Sequence, residues 1–301
     1  MSANAPPVSN LSDAQARAIE VLSPSREAWR VFRSNKAAMV GLVILGFVVL
    51  VMAIGPGLYG VDPFAIVADP FTGPFENPVV WLGTDYLGRD ILSGMVAGGR
   101  GTVIVGLSAA LITVLIGVTI GSVAGFFGGW VDEVLMRITE FFQVLPSLLL
   151  AMVLVTLFSP SLLVVTIAIG SVSWPGTARL ARAEFMRLRK LEYVSAARAM
   201  GAGNTRLILG EILPNALPPL IVSATLIIGV AILFEAGLSF LGLSDPNVMT
   251  WGQMIGNNRQ YVLDAWWAVT FPGIGIFLTV LAVSLIGDGL NDAFNPKLHQ
   301  R

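Results

Sequence analysis

The chain has 301 residues, 55% of them hydrophobic and 12% charged, with a mean hydropathy of +0.78. Soluble domains carry about 25% charged residues, so an ordinary soluble domain is excluded and an integral membrane protein is indicated. The net charge of −1 says little beside the placement of the charges, no nucleic-acid partner is expected, and the absence of cysteine excludes disulfides and thiol chemistry.

Uncharged runs cover 37–61, 101–131, 141–178, 212–234 and 265–287. A helix crosses the hydrocarbon core with about 20 apolar residues, so four runs hold one span each. Run 141–178 is long enough for two, with Phe158-Ser159-Pro160-Ser161 as a turn between them. The expected fold is all-α with six transmembrane helices, near 37–59, 102–127, 138–158, 161–181, 216–240 and 266–288. The organisation is then an N-terminal segment 1–36, a transmembrane domain 37–290 containing a long loop 183–215, and a tail 291–301. Six spans place both termini on one face together with all of the 18 Lys and Arg except Arg89, Arg100 and Arg259. The positive-inside rule makes that face cytoplasmic.

Residues 1–24, rich in Ser, Ala, Pro and Asn, predict little regular order. Asp13, Glu20 and Glu27 make the leader too mixed for a secretory signal, so 37–61 reads as a retained first helix. In 25–36, Ala28, Trp29 and Phe32 share a helix side, with Arg26, Arg30 and Arg33 around it. That pattern fits a short interfacial helix and equally a basic anchor with no further role. The outer loop 62–100 carries Pro63, Pro70, Pro74 and Pro78 and is expected to be turned until about Gly88, where Arg89 and Asp90 open a helix. Gly117, Gly121 and Gly125 recur at a spacing that lets helices approach closely, read as ordinary packing. A second outer loop, 242–264, has Trp251 and the Trp266-Trp267 pair near its ends, where tryptophan usually marks the membrane interface.

Enzyme chemistry is missing. His299 is the only histidine, and none of Lys36, Lys190 and Lys297 lies in a phosphate-cradling P-loop. If ATP drives this protein, another subunit binds it. Glu140, Glu235 and Asp288 each lie near a span end, where packing or interfacial roles are preferred to the proton relay of an ion-coupled transporter.

The segment 192–219, EYVSAARAMGAGNTRLILGEILPNALPP, is too long and too patterned for a simple link. Tyr193, Ala196, Ala197 and Met200 form an i, i+3, i+4, i+7 stripe. Gly201-Ala202-Gly203 then breaks the helix, Asn204 is placed to cap the next one, and Pro214, Pro218 and Pro219 are expected to end it. Two readings remain at this point: a docking unit that converts a partner's movement into helix tilting, or a basic loop that only obeys the positive-inside rule.

SAARAMG followed by LGEILPN resembles the E-A-A-x₃-G-x₉-I-x-L-P loop of ABC-importer permeases. Ala196, Ala197, Gly201, Leu213 and Pro214 match; Ser195 replaces the glutamate and Glu211 the isoleucine. LGTDYLGRDILSG (82–94), GLSFLGL (237–243), WGQM (251–254) and GDGLNDAFNPK (287–297) resemble the dipeptide/oligopeptide/nickel permease family, its C-type subunit in particular. The resemblance implies a type I, MetI-like importer permease in the plasma (inner) membrane. It implies half of a translocation path for a small solute, di- or oligopeptides by default, with nickel, glutathione or glycoside- and opine-like solutes as alternatives. The implied partners are a homologous second permease, two P-loop ATPases that bind ATP and Mg, and an external solute-binding protein. No cofactor is implied in this chain. The resemblance implies an ATPase-coupling surface at Tyr193, Ser195, Ala196, Ala197, Met200, Gly201, Ala202, Asn204, Arg206, Glu211, Leu213 and Pro214. It also marks an outer motif at Asp85, Gly88, Arg89 and Asp90, where Arg89 is expected to pair with a carboxylate at the helix start.

Overall fold

Helix ends in this chain are set by local chemistry. Asn35 adopts an extended backbone and its Oδ1 accepts the Ala38 N–H at 3.0 Å, an N-cap that separates α1 (Pro24–Ser34) from α2 (Lys36–Tyr59). Asp90 caps α3 (Ile91–Phe127) by accepting from the Leu92 and Ser93 N–H groups. α4 (Gly129–Val144) and α5 (Ser147–Phe158) meet at 86° across Leu145-Pro146, because a residue before proline is pushed out of the helical region. α6 (Leu162–Leu188), α7 (Glu192–Ala199) and α8 (Asn204–Arg206) follow. A π-helical turn, Leu207–Ile212, joins α8 to α9 (Leu213–Phe240). The short α10 (Trp251–Asn258) and the long α11 (Trp267–Phe294) complete the fold. The computed structural model describes residues 24–294, so the expectations for 1–23 and 295–301, His299 included, lie outside the described residues.

Five stretches are long and apolar enough to cross a membrane: α2, α3, α6, the continuous rod 204–240 and α11. The bent α4–α5 pair is a sixth if it crosses as one span. α3 starts ahead of the uncharged run because Arg100 is accommodated inside it. Pro56 lies within α2 and has no N–H to give the Met52 carbonyl. Arg100 Nε fills that vacancy at 2.6 Å, and its Nη2 reaches the Ala53 carbonyl at 3.0 Å. A backbone acceptor freed within a membrane helix needs such a donor.

The tightest seam runs between α3 and α6. A methyl group on Gly117, Gly121 or Gly125 would lie 2.5, 2.2 or 2.6 Å from α6 atoms, two of them backbone carbonyl oxygens. These glycines serve close helix packing. Two tryptophans depart from the interface reading. Trp251 is buried, donating Nε1–H to the Met95 carbonyl at 2.8 Å, and Trp267 is buried, donating to the Thr84 carbonyl at 3.0 Å. α10 folds back onto α3, where Trp251 finds its acceptor, and the outer loop supplies the acceptor for Trp267; of these three tryptophans Trp266 alone stays exposed.

Pro214, Pro218 and Pro219 do not end a helix either. The rod continues from Asn204 to Phe240 through a π-turn, with the Leu213 N–H reaching the Ile208 carbonyl five residues back, and Pro218 and Pro219 lie inside α9. Pro214 then falls in the first turn of α9, where its missing N–H costs little.

Candidate functional site

The segment after α6 is a folded unit pressed against the helix ends. Arg189 donates Nη1–H to the Phe126 carbonyl at 2.9 Å, satisfying an end group of α3. Arg182 on α6 forms a two-pronged ion pair with Asp132 on α4. α7 buries Val194 and Ala197 against Phe126, Phe185 and Leu188, and Arg198 lies over the Phe126 ring at 5.9 Å.

The expected stripe therefore splits. Ala197 faces the protein's own core, while Tyr193, Ala196 and Met200 are exposed, Met200 to 84%. The burying face is Val194/Ala197, one step round from the stripe read in the sequence, because the ends of α3 and α6 lie on that side. Ser195, Asn204 and Arg206 share the exposure. Ser195 is turned away from the bundle, so its side chain holds no part of the fold together.

Gly201 closes α7. Its φ of +89° is in the left-handed region, its N–H donates to the Arg198 carbonyl, and the Ala202 N–H reaches back to the Ala197 carbonyl. This is the Schellman arrangement, which selects glycine. The next helix is led by Gly203 rather than by Asn204, whose side chain makes no cap bond. Extended Gly203 already turns the chain.

The π-turn accounts for Glu211. Successive buried positions on this rod are Leu207, Ile212, Ala216 and Leu220, so the first step is five residues and the later ones four. A five-residue step is the period of a π-turn. It rotates Ile212 into the core and leaves Glu211 half-buried at the margin. The Glu211 carbonyl accepts from the Tyr193 hydroxyl at 3.4 Å and from Asn215 Nδ2 at 2.7 Å, tying α7 to the rod. Leu213 is half-buried and Pro214 exposed. The anchors Val194, Leu207 and Ile212 escaped sequence reading; the five-residue apolar step was the signal for the last two.

The outer motif is built differently. Asp85 Oδ1 accepts the Leu87 and Arg89 N–H groups, both at 2.8 Å. Burial pushes its carboxyl above the usual range, and those backbone donors pull it partly back. Asp90 is raised by burial in the same way, against the pull of the Ser93 N–H. Gly88 has φ +81°, and a methyl there would lie 2.1 Å from the Ala68 carbonyl oxygen. Arg89 forms no ion pair among the described residues; its guanidinium sits 5.4 Å from the Phe64 ring centroid. The expected ion pair is absent, both carboxylates holding backbone donors, although the nearby Arg89 charge also draws the Asp85 carboxyl down. Farther along, buried Glu235 accepts from the Ser239 and Thr250 hydroxyls, each at 2.7 Å, and so pins α10 to α9. Glu140 is exposed and pairs with Arg137, and Asp288 is exposed on α11.

Residues 117–300 match the family described as binding-protein-dependent transport system inner membrane component, and residues 23–76 match the N-terminal TM domain of oligopeptide transport permease C. The di/tripeptide transport system permease protein DppC of Pseudomonas aeruginosa is 41% identical over 92% of this chain and 93% of its own length. The oligopeptide transport system permease protein OppC of Bacillus subtilis is 36% identical over 98% of this chain and 97% of its own. Among solved structures, a chain of the MetNI methionine ABC transporter in an inward-facing conformation aligns with TM-score 0.53 and 18% identity. It covers 65% of this chain and 93% of that one, a likeness of fold.

Proposed function

The chain belongs to the binding-protein-dependent transport system inner membrane component family, and from that premise we propose that it forms half of a translocation path for di- or oligopeptides, working with a second permease, two ATPases and an external binding protein. Membership makes it a multi-pass inner-membrane permease subunit and not a catalyst. The peptide reading rests on relatives named for di/tripeptide and oligopeptide transport that align along nearly the whole chain. With the termini cytoplasmic, as the basic residues favour, the surface around Ala196 faces the ATPases.

One observation carries the mechanism. α7 presents Tyr193, Ala196 and Met200 outward while Val194 and Ala197 lock it to the ends of α3 and α6. A small residue at the centre of the exposed face lets a partner's backbone come close. When ATP closes the ATPase dimer, a groove on its surface pulls α7. The pull passes through the Tyr193–Glu211 contact into the rod 204–240 and through Leu188 into α6. Both are membrane-crossing candidates, so the movement becomes tilting of helices and opens the path outward; hydrolysis resets it. ATP and Mg belong to the partner subunits throughout.

The test is ATPase activity of the co-purified complex in nanodiscs, with peptide-loaded binding protein added. Stimulation by the loaded protein, lost in Ala196→Trp while the subunits still co-purify, is the expected result. Full stimulation of Ala196→Trp overturns the coupling role of this face. No stimulation by any peptide overturns the substrate class.

A further inference from the structure

α1 is amphipathic in a definite sense. Arg26, Arg30 and Arg33 recur at i, i+4 and i+7 and are all exposed, while Ala28 and Phe32 turn toward α11 and the start of α2. Gly289 on α11 permits this seating, since a methyl there would lie 2.3 Å from Ala38 Cβ and 3.1 Å from the Phe32 ring. Between the helices remains an open groove of about 350 Å³, lined among others by Trp29, Phe32, Leu42, Leu290 and Ala293. Trp29 stacks on Phe32 with centroids 5.7 Å apart yet is 54% exposed. On the helix wheel it stands between the apolar side and the arginines.

The charges at this corner lean to the basic side, three arginines on α1 against Glu27 on the same helix. Asp292 on α11 is engaged by Asn35 Nδ2 at 2.8 Å, and Arg26, Arg30 and Arg33 have no ion-pair partner among the described residues. α1 precedes a membrane-crossing helix and is turned off it at Asn35, so the groove opens where headgroups meet acyl chains.

We propose that this groove binds an anionic phospholipid, with an acyl chain along Phe32, Leu42, Leu290 and Ala293 and the phosphate held by Arg26, Arg30 and Arg33. An apolar slot with three long cationic side chains beyond its Trp29 wall fits that amphiphile at both ends. Arginine suits phosphate through its planar fork of donors, and an exposed, stacked tryptophan suits headgroup depth. The occupied groove would wedge α1 against α2 and α11 and set the height of the bundle in the bilayer. The site is independent of the substrate and of the ATPase face.

The experiment uses the full chain with its co-purifying subunits in nanodiscs. These contain either phosphatidylglycerol or phosphatidylcholine carrying a photoreactive acyl chain, and the labelled peptides are mapped by mass spectrometry. Expected is labelling of residues 28–32 and 290–294 about tenfold or more stronger with phosphatidylglycerol, each basic residue near a charged membrane surface contributing to the preference. The triple variant Arg26→Gln, Arg30→Gln, Arg33→Gln should erase the preference for phosphatidylglycerol but keep background labelling. Leu42→Trp, or Ala293→Trp if the first fails to express, should block labelling by either lipid with the arginines intact. Equal labelling by the two lipids overturns the proposal, as does a preference that survives the triple change. Cross-links from α1 to another subunit through the groove overturn it as well, by giving the slot a protein occupant.

Discussion

The outer loop and the α7 segment both carry residues that the sequence singles out, and they treat them in opposite ways. Around Asp85–Asp90 the marked residues are consumed by the chain itself: two carboxylates hold backbone N–H groups, Gly88 admits the Ala68 carbonyl, and Arg89 lies over Phe64. Around Glu192–Pro214 the marked residues divide. Ala197 and Gly201 build the unit, while Ser195 and Ala196 are turned outward with no described role in its packing. Residues singled out together in the sequence can therefore be used up by folding in one place and left on the surface in another, and burial tells the two apart.

Substitutions sharpen that contrast, from the largest expected loss of stability to the smallest. Gly88→Ala meets a backbone carbonyl at 2.1 Å from a left-handed φ. Adding backbone strain to overpacking, it should cost at least about 2 kcal/mol, read as a lower melting temperature of the purified complex with uptake falling in proportion to folded protein. Asp90→Ala removes the cap of α3 and should cost about 1–2 kcal/mol, whereas Asp90→Asn, which keeps an acceptor, should recover most of it. If Asp90→Asn melts normally but abolishes uptake, the outer motif has a role beyond folding.

On the other loop, Gly201→Ala and Gly203→Ala form a matched pair. Neither added methyl meets anything within 4 Å, but Gly201 has φ +89° and Gly203 φ −72°. The first should cost about 1 kcal/mol and the second close to nothing, measured by thermal melts side by side. Equal melting points would mean that the turn is reshaped in the assembled complex. Smallest in stability is Ala196→Trp, whose position is exposed. It should leave the melting temperature unchanged while removing ATPase stimulation. A companion Ala197→Trp, entering the buried side, should instead cost the about 1–3 kcal/mol typical of overpacking, read as a lower melting temperature. If the two variants behave alike, the division of the loop into an inward and an outward face is wrong.

Membrane helices were legible in the sequence because spanning a bilayer demands long apolar runs whatever their neighbours. The glycines of 117–125 could likewise be read as packing residues, since a small side chain has few other uses in such a helix. The sequence also determined the kind of protein, through loop residues whose order resembles one transporter family. What it left undetermined depends on partners distant along the chain. Trp251 and Trp267 read as interface residues until α10 is seen folded inward, bringing Trp251 to the Met95 carbonyl, and the outer loop is seen to offer Trp267 the Thr84 carbonyl. Arg100 reads as the end of a loop until Pro56 is seen to free an acceptor across the α2–α3 contact. The three prolines read as a stop until α9 is seen to run through them, Pro214 in its first turn and Pro218 and Pro219 farther in. The face of α7 that points outward was beyond local pattern altogether. Helical periodicity groups residues into stripes, but which stripe is buried depends on where the ends of α3 and α6 stand, and only the tertiary structure decides that.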